Sequence, residues 1–214
     1  MILVLENEVR PEIRYFVPEI TRALSESRVY DFADEGGRPD VADVDGVVVA
    51  GSTAGVYEAD EYPWMAEQRA FVRELVDEEV PTYGICFGHQ LINEALGGTV
   101  EHVGLRAELV EVELADDPLF EGVEEVIPVI HGDVVTERGD GMAVVGSADY
   151  YENFATRHRD APVWTTQYHP EFTARLADRV EADFEWQENE HSFDEVTAVR
   201  SLANFERLAT SGAY

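Results

Sequence analysis

The sequence predicts an α/β fold: a mostly parallel central sheet flanked by helices, with additional antiparallel strands in the second half. Three observations carry that expectation. Over the first hundred residues short apolar runs alternate with amphipathic stretches, the pattern of strands joined by crossover helices. From residue 107 onward, apolar–polar alternation recurs in run after run, with short turns and no clear helix between. Between the two, Gly84-Ile85-Cys86-Phe87-Gly88 stands where a strand hands over to a helix.

The elements follow in order. ILVL at 2–5 reads as a buried strand. Pro11 suits a first helical turn, and Ile13, Phe16, Val17, Ile20 and Leu24 recur at helical spacing, so 11–26 is expected to be one amphipathic helix. VYDF at 29–32 and DGVVVAGS at 45–52 are the next strands. Pro63 opens a helix with Phe71, Val72, Leu75 and Val76 on its inner face. VPTYGIC at 80–86 is a strand, and FGHQLINEAL is a helix stopped by Gly97 and Gly98. AELVEVEL at 107–114, EVIPVIH, MAVVGSA, NFATRH and VWTTQYH supply the later strands. Helices are expected at 173–183 and 194–209, separated by a polar stretch. No repeat, low-complexity tract or linker interrupts the chain, so 1–214 reads as a single domain.

Composition excludes several classes. A hydrophobic content of 45% can fill a sizeable core. No apolar run reaches the ~18 residues of a membrane helix, and MILVLENEVR lacks the basic start and cleavage site of a signal peptide. A cytoplasmic location is the expectation. The net charge is −30, and every one of the 15 basic residues is arginine. Such a field repels nucleic acid and anionic membranes. The acids are scattered, with no D-x-[DN]-x-[DN]-G calcium loop, and one cysteine cannot build a cysteine-based zinc site, so no metal is expected. The charge reads as a solvated surface adapted to high salt, where the screening length falls to ~3 Å at 1 M.

The sole cysteine admits two readings. Free cysteine is often a small buried hydrophobe. Here, however, G-x-C-x-G repeats the layout of a nucleophile elbow, in which a sharp turn leaves no room for flanking side chains. The thiol then stands at a helix N-terminus, where the dipole and unpaired N–H groups favour thiolate. The N–H of Phe87 is free to donate to an oxyanion. A base is also needed. Of six histidines, His169 ends an apolar strand in TTQYHPEF, and Glu171 shares its face at i+2 in extended backbone. A carboxylate there holds the imidazole's far nitrogen and fixes its tautomer. His89 is given no chemistry; His102, His158 and His191 read as surface or strand residues. Tyr57, Tyr62 and Trp64 read as packing.

GICFGHQ followed some 80 residues later by QYHPEF resembles the class I, triad glutamine amidotransferases. VVVAGSTAGVYE at 47–58 resembles the strand and glycine loop that supplies their second oxyanion donor. HGDVV at 131–135 resembles the HGD segment of the family's GMP synthetase branch. The resemblance covers 45–172 and implies the flavodoxin-like fold of that family. It also implies that Cys86 attacks the amide of glutamine, His169 acts as base and acid, and Glu171 orients it. Phe87 and the Gly51-Ser52 backbone would be the oxyanion donors. Gln90 matches a position that contacts the substrate, and His131, Gly132 and Asp133 would flank its α-amino and carboxylate ends. No cofactor is implied.

Two departures stand out. The glycine loop usually reads Gly-Gly-Pro and here reads Gly51-Ser52-Thr53; serine resists positive φ, so the second donor is expected to be misplaced or swung in by a partner. Glu6-Asn7-Glu8 stands where the GMP synthetase branch carries a D-x-G-x-Q-like stretch. Members of the family pass ammonia to a synthetase. A P-loop needs lysine, which this sequence lacks, so the acceptor is expected to be a separate ATP-dependent synthetase. The alternatives are a stand-alone γ-glutamyl hydrolase using the same residues, or a non-catalytic regulatory relative.

Overall fold

The computed structural model describes residues 1–214. Nine strands form one sheet: β1 (Ile2–Glu6), β2 (Ser27–Asp31), β3 (Gly46–Val49), β4 (Thr82–Ile85), β5 (Thr99–Leu114), β6 (Val126–Glu137), β7 (Met142–Ala148), β8 (Tyr151–His158) and β9 (Val163–Thr166). Their spatial order is β2-β1-β3-β4-β9-β8-β7-β5-β6. From β2 to β9 every pairing is parallel; from β9 to β6 every pairing is antiparallel. The expected mixed sheet is therefore two halves that share β9.

Parallel strands β1, β3, β4 and β9 are short and buried on both faces, and β1 and β3 read as apolar runs, while the edge strand β2 is half-buried. Ile2 and Val4 of β1 face one layer, with Tyr83, Ile85 and Trp164; Leu3 and Leu5 face the other, with Val47 and Val49. Helices α1 (Phe16–Ala23) and α6 (Arg200–Ser211) cover the first face through Val17, Ile20, Leu202, Phe205 and Leu208. Helices α2 (Phe32–Glu35), α3 (Trp64–Asp77) and α4 (Phe87–Ala95) cover the second through Phe32, Phe71, Val72, Leu75, Leu91 and Ile92. Helix α5 (Ala177–Asp183) packs Val180 beside Phe16, Phe172 and Phe193 in a third, smaller cluster.

Several expected boundaries move. The 11–26 helix is divided: Pro11–Ile13 form a single 3-10 turn, and the α-helix proper begins at Phe16 and ends at Ala23. The 173–183 helix begins at Ala177, and the 194–209 helix at Arg200, after a separate turn at Phe193–Glu195 closed by a Ser192–Glu195 capping box. The 107–114 strand extends back to Thr99, with an irregularity between His102 and Arg106 where Gly104 adopts φ +98°. Apolar alternation fails across that bulge, which is why the sequence showed only the second half of the strand. β6 tolerates Pro128 because it is an edge strand whose outer side needs no ladder N–H.

Candidate active site

The C-terminal ends of β1, β3, β4 and β9 open at one edge of the parallel half, where open α/β sheets place ligands. Cys86 follows β4 directly, with φ +51° and ψ −103°, a conformation that a non-glycine residue adopts only under constraint. The constraint is visible in its neighbours. A Cβ on Gly84 would lie 2.6 Å from the Gly88 carbonyl, and one on Gly88 would lie 2.1 Å from the Val49 carbonyl. Both positions must be glycine for α4 to start this close to the sheet. Phe87 is the first residue of α4, so its N–H has no partner within the helix.

His169 lies just beyond β9 and is 2% exposed; Glu171 is 1% exposed. The i, i+2 spacing brings His169 Nδ1 to 2.8 Å from Glu171 Oε1. The ring lies against Phe172, with centroids 4.3 Å apart and planes 4° from parallel, and Phe16 meets it edge-on at 5.4 Å. On the far side, His169 Nε2 is 3.3 Å from the Ile130 carbonyl of β6. Carboxylate and carbonyl oxygens only accept hydrogen bonds, so this geometry favours a ring protonated at both nitrogens. Burial alone would lower the imidazole pKa; the charges of Cys86 and Glu171 outweigh it and raise it to about 10. Glu171 Oε2 is buried without a hydrogen-bond partner.

Gly51 admits this ring. A Cβ there would stand 3.1 Å from His169 Cε1 and 3.7 Å from Cys86 Cβ. Neither Gly51 nor Ser52 has positive φ, so the anticipated conflict at Ser52 does not arise. Their backbone N–H groups take no hydrogen-bond partner. The loop is held from below instead. Glu8 accepts from Thr53 N at 2.8 Å and Thr53 Oγ1 at 2.5 Å, and Asn7 Nδ2 donates to Ala50 O at 3.0 Å. Glu6-Asn7-Glu8, the departure seen in the sequence, is thus the support of the glycine loop.

Cys86, Ser52, Gln90, His131, Gly132, Asp133 and His169 line one pocket of about 230 Å³. Gln90 Nε2 donates to the Asp133 carbonyl at 3.1 Å and to Gln167 Oε1 at 3.2 Å. His131 donates through Nδ1 to the Asp133 carbonyl at 3.1 Å and accepts at Nε2 from Tyr150 at 3.0 Å, which makes it the neutral Nδ1–H tautomer. Burial lowers its pKa to about 4. Asp133 Oδ1 accepts from His102 Nδ1 at 2.9 Å and from Tyr57 at 3.2 Å, so Tyr57 reaches from the glycine loop to the pocket rim rather than packing, while Trp64 is buried.

Sequence reasoning passes over three participants. Gln167 stands in TTQYHPEF with no part assigned to it; its Nε2 lies 3.5 Å from Cys86 Sγ. The i, i+2 rule that pairs His169 with Glu171 places Gln167 on the same face. The Ile130 carbonyl, 3.4 Å from Cys86 Sγ, is a backbone group with no sequence signal. His89 is fully buried between Thr165 Oγ1 at 2.7 Å and Tyr151 OH at 2.9 Å. Burial lowers its pKa to about 3, so it is a neutral structural link between α4 and the sheet.

A buried thiol on a constrained strand–helix turn, beside a histidine and carboxylate pair at the mouth of an α/β sheet, is an arrangement suited to a thiol nucleophile with an adjacent base. The chain belongs to the class I glutamine amidotransferases: that family's model matches residues 20–185. It is 32% identical over 163 residues to a glutamine-hydrolysing GMP synthase of Streptomyces coelicolor, spanning 71% of this chain and 29% of that protein. It is 40% identical over 107 residues to one subunit of the glutamine-hydrolysing GMP synthase of Methanopyrus kandleri, spanning 46% of this chain and 57% of that one. The chain therefore spans less than two thirds of either relative. A glutamine amidotransferase of Thermotoga maritima shares the fold with a TM-score of 0.75 at 21% identity, covering 99% of both chains. One from Methylobacillus flagellatus does so with a TM-score of 0.62 at 20% identity, covering 98% of this chain and 90% of that one. No helix is long and apolar enough to cross a membrane.

Proposed function

We propose that this chain releases ammonia from L-glutamine through a Cys86–His169–Glu171 triad and delivers it to a separate ATP-dependent synthetase, in the manner of a GMP synthase glutaminase subunit. The observation that carries the reading is the setting of His169, which faces acceptors at both nitrogens beside the only thiol in the chain. That ring can hold Cys86 as thiolate and still have a proton to give.

Cys86 Sγ attacks the side-chain amide carbon, forming the C–S bond, while the carbonyl electrons move onto oxygen. The N–H groups of Phe87 and of the Gly51-Ser52 loop receive that oxyanion. His169 Nε2–H protonates the departing nitrogen, ammonia leaves, and the γ-glutamyl thioester remains. Neutral His169 then takes a proton from water as the water attacks the thioester; collapse returns glutamate and thiolate. Removing one oxyanion donor typically costs ~10²–10³ in rate. Gln90, whose Oε1 accepts no hydrogen bond in the chain, and the His131–Asp133 backbone flank the space for the substrate's polar ends. The GMP-forming acceptor is supported by the names of the relatives at 32% and 40% identity.

The test is glutamate release from glutamine by the purified chain in multimolar potassium chloride, with Cys86→Ala as blank. Turnover that depends on Cys86, rising when a GMP-forming synthetase is added, is the expected result. Turnover unchanged by Cys86→Ala would remove the nucleophile. High activity on γ-glutamyl peptides with no response to a synthetase would favour the stand-alone hydrolase. The thermal midpoint is expected to rise with potassium chloride, as self-repulsion at −30 is screened.

A further inference from the structure

Cys86 Sγ has an unfavourable neighbour. The Ile130 carbonyl oxygen lies 3.4 Å away, a contact that suits a protonated thiol and opposes a thiolate. A thiolate held there needs donors. Two side chains face it: the His169 ring, and Gln167, whose Nε2 lies 3.5 Å from Sγ. Gln167 is wholly buried.

The neighbours also settle which end of the Gln167 amide faces sulfur. Gln90 must present its nitrogen to the Asp133 carbonyl, which only accepts. The same nitrogen reaches Gln167 at 3.2 Å, so that atom of Gln167 is its oxygen. Nε2 is left for Sγ. The chain of donors therefore runs one way, from Gln90 to Gln167 and from Gln167 to Cys86, with the Asp133 carbonyl as anchor. It starts at a residue that lines the pocket and ends on the attacking atom.

We infer that Gln167 is a further catalytic residue: its side-chain amide donates to the Cys86 thiolate, offsets the Ile130 carbonyl, and ties thiolate stability to the placement of Gln90. The inference rests on the proposed glutaminase reading, with Cys86 as nucleophile. In the thioester the sulfur is neutral and the bond weakens. On deacylation thiolate re-forms and the bond is recovered, so Gln167 favours Cys86 as a leaving group as well as an attacking one.

The test uses the single cysteine. Cys86 is the only thiol, so the pH dependence of its alkylation by iodoacetamide, read at that residue by peptide mass, reports its ionisation. Gln167→Met keeps the length and volume of the side chain and removes the N–H; Gln167→Ala removes both. Thr165→Val, at an equally buried site two residues upstream that does not touch sulfur, is the structural control. The alkylation midpoint should rise by about one pH unit in both Gln167 variants and stay put in Thr165→Val. The kcat for glutamine should fall about tenfold or more. In the unaltered protein the Gln167 side-chain ¹⁵N–H resonances should titrate with the same midpoint and cease to do so in Cys86→Ala. A midpoint that moves no further in the Gln167 variants than in Thr165→Val overturns the inference. So do side-chain resonances indifferent to Cys86, a result that needs no variant of Gln167 to fold. Neither readout requires glutamine, so absence of glutaminase activity alone would count against the proposed function and not against this bond.

Discussion

The two halves of the sheet contribute to the site in different ways. The parallel half contributes from the ends of strands: the Glu8 side chain after β1, the Gly51-Ser52 backbone after β3, and the side chains of Cys86 after β4 and of His169 and Glu171 after β9. The antiparallel half gives main chain from the middle of a strand, the Ile130–Asp133 stretch of β6, whose carbonyls anchor His169, Gln90 and His131. A strand end is free to carry any side chain, because nothing beyond it must pair. A mid-strand carbonyl is positioned by its ladder, whatever residue bears it. The proposed triad is thus carried by residue identity on one side, and its anchoring by backbone register on the other.

Activity should divide along that line most sharply. Glu171→Gln keeps the shape of the side chain but loses the charge that holds His169 as imidazolium, and should lower kcat by about 10²–10⁴. Tyr150→Phe removes a hydroxyl that only steadies His131 and should change kcat by less than about threefold. Equal losses in steady-state assays of the two variants would end the distinction.

Stability should divide the same way, at smaller scale. Gly88→Ala drives a Cβ to 2.1 Å from the Val49 carbonyl, where neither backbone can yield, and should cost about 3 kcal/mol. Gly146→Ala in the antiparallel half meets the side-chain atoms Ala155 Cβ and Leu114 Cδ2 at 3.0 Å and the Glu113 carbonyl at an ordinary 3.6 Å, and should cost about 1 kcal/mol. Denaturant midpoints decide it; a Gly88→Ala chain as stable as the original would mean that the α4 start is not fixed by this approach.

The same contrast explains what the sequence disclosed. Cys86, His169 and Glu171 were legible because strand-end chemistry depends on residue type and spacing: glycines flanking a thiol, and a histidine with a carboxylate at i+2. Phe87 was expected as a backbone donor from the strand–helix turn, and Gly51 and Ser52 only from the family resemblance. Gln167 was not, since glutamine at a strand end is equally at home as a packed amide. Ile130 was not legible, because an apolar residue in an apolar strand says nothing of where its carbonyl points. The split of the first helix was missed for a related reason: Ile13 keeps the helical phase of Phe16 and Val17, so the apolar pattern runs through the change from a 3-10 turn to α-helix.

At the seam, His89 and His131 give the next effect. Burial holds their pKa values near 3 and 4, against 6.5 in the unfolded chain. On acidification the unfolded chain takes up protons first, so stability falls as pH drops through 6.5 and levels off only below those lower values. At pH 5 each ring should cost about 2 kcal/mol. Glu6 and His169, whose pKa values are raised, oppose this fall in the unaltered chain, so the readout is the difference between His89→Gln and the unaltered chain, which should shift by about 2 kcal/mol in the variant's favour between pH 7.5 and 5. An unchanged slope in that variant would assign the fall to other groups.

Glu6 sets the opposite slope, and it belongs to the parallel half. Its carboxyl closes β1 with 6% exposure, and burial raises its pKa to about 7, while the Glu8 N–H at 2.9 Å and the charge of Arg14 pull the other way. The folded chain keeps this proton up to about pH 7, whereas the unfolded chain loses it near 4.5. Stability from this group is therefore full below 4.5 and declines as pH rises through 7. Across pH 5 to 6.5 it runs against the two histidines, so the unaltered chain should show a flatter profile than either half alone would give. Glu6→Gln keeps the acceptor for the Glu8 N–H and removes the ionisation. It should gain about 1–2 kcal/mol at pH 8, the figure discounted for the solvent and arginine near the carboxyl, and nothing at pH 4. A gain that is the same at both pH values would show that packing, and not the buried charge at the end of β1, distinguishes the variant.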